Sequence, residues 1–258
     1  MTLPPGQDVA EPPATARVRD LLVLDGSLVV ACDSIGGIGP KPADAVAADA
    51  LTVAHFALRV PLLEVLCAGA RPIAVVDALC VEYEPTGRVM IDEIRRLAVE
   101  AGVPPEAVTG STEENVPTRA TGIGVTVLGR LLSGRPVGGG SLPGDLVVCA
   151  GLPLSAPRDE IVIGHPGQVT VAAVRSVLES GLTRDALPVG SKGVAWEVAQ
   201  LSASAGLEVE WLESEVSRTD SGGPASCVLF TCPPDVAEEL RALISPAPFA
   251  VVARLATG

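Results

Sequence analysis

Alternating apolar and polar positions open the chain. LLVL (21–24) and LVVAC (28–32) read as two strands joined by Asp25-Gly26, a pair that turns a hairpin readily. The second strand is expected to end at Asp33 and run into CDSIGGIGPKP (32–42). From Asp44 the spacing becomes helical. ADAVAADALTVAHFALRV predicts a helix that breaks at Pro61, resumes as LLEVLCAGA and stops at Gly69. A strand follows over 72–82, then an amphipathic helix over 86–102 with Val89, Ile91, Ile94, Leu97 and Ala98 near one face. After AVTG and the polar insert STEENVPTRA come a strand over 121–129, the loose linker GRPVGGGSLPG and a strand over 145–151. The second half repeats the mixture: a helix over 169–181, the glycine loop LPVGSKG (187–193), a helix over 194–206 and the strand LEVEWLE. A strand within 221–232, the helix PPDVAEELRALI and the strand FAVVARLA complete it. This order predicts an α/β or α+β fold, with a flexible leader over 1–19, a first domain over 20–150 and a second over 151–258.

Composition narrows the function classes. With 258 residues, 48% of them hydrophobic, the chain can fill a real core. A net charge of −13, with no basic stripe, argues against a nucleic-acid partner. The most apolar stretch, 57–81, carries Arg59, Glu64, Arg71 and Asp77, whereas a membrane span requires about 20 largely uncharged residues. The N-terminus has neither the basic nor the apolar region of a signal peptide, so a cytoplasmic, membrane-free protein is expected. Six cysteines, mostly within apolar segments and without a CxxC, are expected as reduced core residues.

Three segments carry candidate chemistry. Gly36, Gly37 and Gly39 could present backbone N–H groups to a phosphate beside Lys41, or could simply make a tight turn. A Walker A loop is excluded, because Lys41 is followed by Pro42 and not by a hydroxyl residue. In GSTEEN (110–115), Glu113 and Glu114 could ligate a hard cation or form a solvated acidic loop. Glu64, a lone acid in VPLLEVLCAGA, points either to a metal or to a domain edge. In LPVGSKG, Lys192 could join the N–H groups of the next helix in holding an anion, or Ser191 could cap that helix and leave Lys192 solvated.

Taken in order, CDSIGGIGPKP, the acid five residues before Gly69-Ala70-Arg71-Pro72, and the GSTEEN segment followed by GVTVLG resemble the aminoimidazole ribonucleotide (AIR) synthase superfamily. That superfamily includes thiamine-monophosphate kinase, selenophosphate synthetase and a hydrogenase-maturation dehydratase. The resemblance implies a first domain that binds ATP and Mg2+ and forms a homodimer, and an α+β second domain that closes over a small-molecule substrate. It gives Asp33, Glu64 and Glu113 or Glu114 to the metal, and Gly36, Gly37, Gly39, Lys41, Gly110, Ser111 and Thr112 to the nucleotide. Asp33 and Lys192 would act in catalysis. Two departures stand out: Thr112 occupies a place where many members have an acid, and Glu64 is one methylene longer than the usual aspartate. The cysteines that mark the selenophosphate and dehydratase branches are missing from the expected places. The segments look most like AIR-synthase-related kinases that phosphorylate α-ribazole in cobamide salvage. The alternatives are a cyclo-ligase, a thiamine-phosphate kinase, or a module that binds nucleotide without turnover.

Overall fold

A computed structural model describes residues 14–132 and 137–258. The expected leader therefore lies outside the described residues over 1–13, as does part of the expected linker over 133–136. The expectation of flexibility ends earlier than position 19, because β1 (Thr15–Val18) pairs antiparallel with β2 (Leu21–Leu24) and becomes the sheet edge.

The hairpin forms as its turn residues require, with Asp25 and Gly26 both at positive φ between β2 and β3 (Leu28–Gly36). The third strand is longer than expected and runs through Asp33 to Gly36, paired along its length with β8 (Gly122–Leu131). A short parallel pair, β4 (Ile38–Gly39) and β5 (Val46–Ala47), follows. Helix α1 (Ala50–Cys67) begins six residues later than its pattern suggested, because Asp49 caps it by accepting from the Thr52 amide. It also runs unbroken through Pro61. Proline there leaves the Ala57 carbonyl without its helical donor, and burial of Ala57, Leu58, Pro61 and Leu62 outweighs that loss.

Strand β6 (Ala70–Leu79), helix α2 (Arg88–Glu100) and strand β7 (Val108–Ser111) complete the first layer. The six-stranded sheet has the order β1-β2-β3-β8-β6-β7, with only β6 and β7 parallel. Both helices lie on one face of it, where Val29, Ala31, Val75, Val125 and Val127 pack against Leu58, Leu62, Met90 and Ile94. The opposite face carries exposed Leu22, Cys32, Val76 and Cys80. Two of the six cysteines are thus exposed where a core position was expected, because strand alternation turns them away from the helices.

Strand β9 (Leu146–Ala150) departs from the expected domain boundary. It is the central strand of a second, antiparallel sheet with the order β10-β12-β9-β13-β11. All five of its residues are buried, which only a strand covered on both faces requires. Its partners are β10 (Asp185–Pro188), β11 (Glu208–Trp211), β12 (Val228–Cys232) and β13 (Phe249–Ala256). One face is covered by α3 (Val171–Ser180) and α5 (Ala237–Ile244), the other by α4 (Val194–Ala205). The fold is α+β, with two helix-covered sheets.

The two halves meet on α1. Leu58 and Leu62 belong to the first core, whereas Leu63 and Cys67 belong to the second. Arg59, 3% exposed, donates from the same helix to the carbonyls of Val169 and Ala225. The Arg19 guanidinium grips Asp185 through both carboxylate oxygens, at 3.1 and 2.7 Å. Arg59→Met should destabilise the protein by about 2–4 kcal/mol, because two buried carbonyls lose their side-chain donor. Urea unfolding followed by the fluorescence of Trp196 and Trp211 checks this.

Candidate functional site between the two sheets

The expected site residues fall into three groups. At the junction of the sheets, Glu64 on α1 and Glu197 on α4 line a cavity of about 120 Å³ together with Asp20, Lys192 and Trp196. Asp33 acts on Glu64 electrostatically from β3. Burial, reinforced by the charges of Asp20, Asp33 and Glu197, pushes the Glu64 carboxyl up to about 8. Burial likewise lifts Glu197 to about 7, although the Gly190 amide and the Lys192 charge work against it. Asp33 is raised as well, by burial above all. None of Asp33, Glu64 and Glu197 forms a salt bridge within the described residues.

The loop LPVGSKG supplies the cation. Gly193 caps α4 with φ +80°, and the helix has no side-chain cap, so Ser191 does not take the capping role open to it. A Cβ at Gly193 would lie 2.8 Å from the Asp220 carbonyl oxygen, which leaves glycine as the residue that fits. The Lys192 Nζ rests 4.0 Å from the ring centre of Trp196, itself 45% exposed. The Lys192 ammonium over the Trp196 ring and two acids without an ion pair, Glu64 and Glu197, therefore border one cavity.

The second group is held in a network at the far end of β3. Lys41 pairs with Glu82, whose carboxyl is held down at about 2 by that contact and by bonds from the Thr118 amide and hydroxyl. The Gly37 amide donates to the Thr121 carbonyl, and the Lys41 amide to Asp44. Asp44, expected at the start of a helix, instead accepts from the Thr121 amide and hydroxyl. Gly39 fits because a Cβ would fall 2.2 Å from the Thr121 hydroxyl. Of the candidate cradle, two amides and the lysine are thus committed to the turn, while Gly36 and Gly37 face open space.

Glu113 accepts from the Asn115 amide, and Glu114 from the Tyr83 amide and the Thr112 hydroxyl. Both carboxylates shape their own loop, and neither joins Glu64. Gly110 is required by contact, since a Cβ would lie 2.2 Å from Asp77 Oδ1. Among the described residues no group of three or more His, Cys, Asp or Glu is arranged to hold a metal ion. Glu64 lines the cavity without an ion pair and feels the charge of Asp33, which lies outside the lining, whereas Glu113 and Glu114 are bound into their own loop. Sequence reasoning missed Glu197 and Asp77. Glu197, an acid beside the buried Val198, carried the same signal as Glu64, and Asp77 interrupts the run PIAVVDALCV.

With this geometry the first layer has a recognisable counterpart. Residues 18–131 match the family described as AIR synthase related protein, N-terminal domain. The matched segment spans β2, β3, α1 and β6 through β8. No curated protein sequence matches. Solved structures extend the likeness to both layers. The HypE-HypF complex contains a chain 17% identical, with a TM-score of 0.66, over 93% of this chain and 87% of that one. Thiamine-monophosphate kinase from Stenotrophomonas maltophilia K279a is 17% identical, with a TM-score of 0.63, over 97% and 90%. T. maritima PurL complexed with ATP is 18% identical, with a TM-score of 0.66, over 93% of this chain. The chain spans 42% of that PurL chain. At these identities the likeness is one of fold.

The folded chain keeps the Glu64 proton up to about pH 8, whereas the unfolded chain releases it near 4.5. The contribution of this group to stability is therefore complete below pH 4.5 and lost as pH rises toward 8. Glu64→Gln should accordingly match the wild-type Tm near pH 4 and exceed it at pH 8.5. Scanning calorimetry across that range is the check.

Proposed function

We propose that the chain is an ATP-using enzyme that transfers a phosphoryl group to a hydroxyl of a small nucleoside-like molecule, with α-ribazole as the acceptor. The observation that carries this reading is the cavity between the sheets, where Glu64, Lys192 and Trp196 border one space within reach of Asp33's charge. Support comes from the AIR-synthase-related match and from likeness of fold to a PurL chain with ATP and to thiamine-monophosphate kinase.

Phosphoryl transfer demands positioning and charge neutralisation more than covalent chemistry. The Lys192 ammonium, at the start of α4, supplies a positive field for a phosphate, and the helix amides reinforce it. Trp196, 45% exposed with Lys192 over its ring, would offer the rest of its indole surface to a base. Asp33 and Glu64 would hold Mg2+, which when bound neutralises the polyphosphate. On so acidic a protein the two carboxylates would otherwise repel that ligand.

A second reading, nucleotide binding without turnover, is favoured by one observation. Lys41, Glu113 and Glu114 are spent on loop structure, leaving a smaller set of free charges than the resemblance implies. Titration calorimetry with ATP and Mg2+, followed by ADP release with α-ribazole and other nucleosides, separates the two. Turnover supports the first reading, binding alone the second, and no binding overturns both. Asp33→Asn and Lys192→Ala should each weaken nucleotide affinity or turnover at least tenfold, about 1.4 kcal/mol. Lys192 is exposed, so its replacement should shift stability by no more than about 0.5 kcal/mol.

The open face of the six-stranded sheet is proposed as the contact of a homodimer. Leu22 and Val76 stand exposed there beside half-buried Val30 and Leu128, a patch that a second copy would cover. Sedimentation at micromolar concentration should give twice the 26.2 kDa chain mass, and Val76→Asp should shift it to the monomer.

A further inference from the structure

Beyond the C-terminal end of α1, where β6, α2 and the segment leading into β10 meet, lies a cavity of about 510 Å³. Both halves of the molecule build its walls: Arg71 and Pro72 open β6, Arg175 and Leu178 lie on α3, and Thr183 and Arg184 precede β10. None of the residues given above to nucleotide, metal or catalysis lines it. The volume falls within the range of about 300–1,000 Å³ found for small-molecule sites, which favour junctions between domains.

Charge selects what can enter. Three arginines line the cavity against two acids, Glu179 and Asp185, and Asp185 is already held by Arg19 and the Gly139 amide. Glu179 is exposed, and its 3.3 Å pair with Arg175 neutralises little in water. Arg184 reaches the buried Asp145 through its Nε alone, at 3.1 Å. Arg71 forms no ion pair among the described residues, and the residue opposite it in the β6–β8 ladder is Arg130, a like charge. Such an arrangement costs stability until an anion relieves it. In a chain of net charge −13, positive charge left over at one cavity repels cations and gives an anion its counter-charge. Guanidinium forks match phosphate oxygens, and a dianion gains more than a carboxylate from several of them. Leu66, Pro72 and Leu178 offer an apolar wall to the remainder of such a ligand.

We propose that this cavity binds a phosphate monoester with an apolar or aromatic body, the phosphate drawn by the Arg71 and Arg184 guanidiniums and the body set against Leu66 and Leu178. The site uses none of Asp33, Glu64 and Lys192, so it stands or falls independently of nucleotide binding. The test is amide NMR of the 15N-labelled full chain at pH 7.5, without nucleotide, titrated with phenyl phosphate, which carries about two negative charges there. Inorganic phosphate, which lacks the body, and benzoate, which carries one charge, are the comparisons. Saturable shifts of the Gly69 and Gly102 amides are expected with phenyl phosphate at millimolar concentration, and at least tenfold weaker binding of each comparison ligand. Lys192→Ala, a change in the other cavity, should leave those shifts as they are, whereas Arg71→Gln and Arg184→Gln should each weaken binding at least tenfold. Because Arg71 is exposed and unpaired, its variant decides the matter even if Arg184→Gln, which strands Asp145, does not fold. Absence of saturable shifts at Gly69 and Gly102 overturns the proposal, as does their loss in Lys192→Ala or undiminished binding in Arg71→Gln. Binding of benzoate or inorganic phosphate as tight as that of phenyl phosphate overturns it too.

Discussion

Helix α1 is packed by both halves of the molecule at once. Its 18 residues send Leu58 and Leu62 into the first core and Leu63 and Cys67 into the second. By length and composition it is apolar enough to cross a membrane, but here each side has a protein partner. A helix so enclosed must satisfy its polar groups inside protein. Arg59 does so by reaching across to two carbonyls of the second half. Glu64 finds no such partner, and its carboxyl consequently prefers to stay protonated. The seam that joins the halves is therefore also where unpaired carboxyl groups collect.

Charge is distributed by the same logic. The chain has 31 acidic and 18 basic side chains, so at least 13 acids have no cation to pair with one to one. Those on loops draw on backbone amides: Asp44, Glu113 and Glu114 accept from N–H groups, Glu82 does so beside its ion pair with Lys41, and these bonds shape the segments around residues 37–44 and 112–121. Such acids are structurally occupied. Asp33, Glu64, Glu197 and Asp77 differ in lying against the helix layers, where burial raises their pKa. An acidic protein thus keeps its chemically available carboxyl groups at buried seams and spends its exposed ones on turns.

The two faces of the first sheet complete the picture. Alternation along β3, β6 and β8 gives one face to α1 and α2 and leaves the other apolar and open. The period of two holds along β3 and β8, whereas in β6 an irregularity between Pro72 and Ala74 shifts the buried positions from 70 and 72 to 75, 77 and 79.

Much of this was legible along the chain. Asp25-Gly26 set the hairpin, Gly181 and Gly206 ended their helices in the left-handed conformation they favour, and the apolar periods located every major helix. These features depend on neighbours in sequence. Contacts distant in sequence decided the rest. Pro61 remains helical because two cores bury its helix, and β9 belongs to the second sheet because β12 and β13 supply its partners. Lys41 is bound by Glu82, 41 residues away, and Glu64 meets Glu197 across the seam, so only the folded chain distinguishes a spent charge from an available one. Residue type and spacing determine which side chains can carry charge, whereas desolvation and pairing, which arise only when distant segments pack, determine what each charge can do.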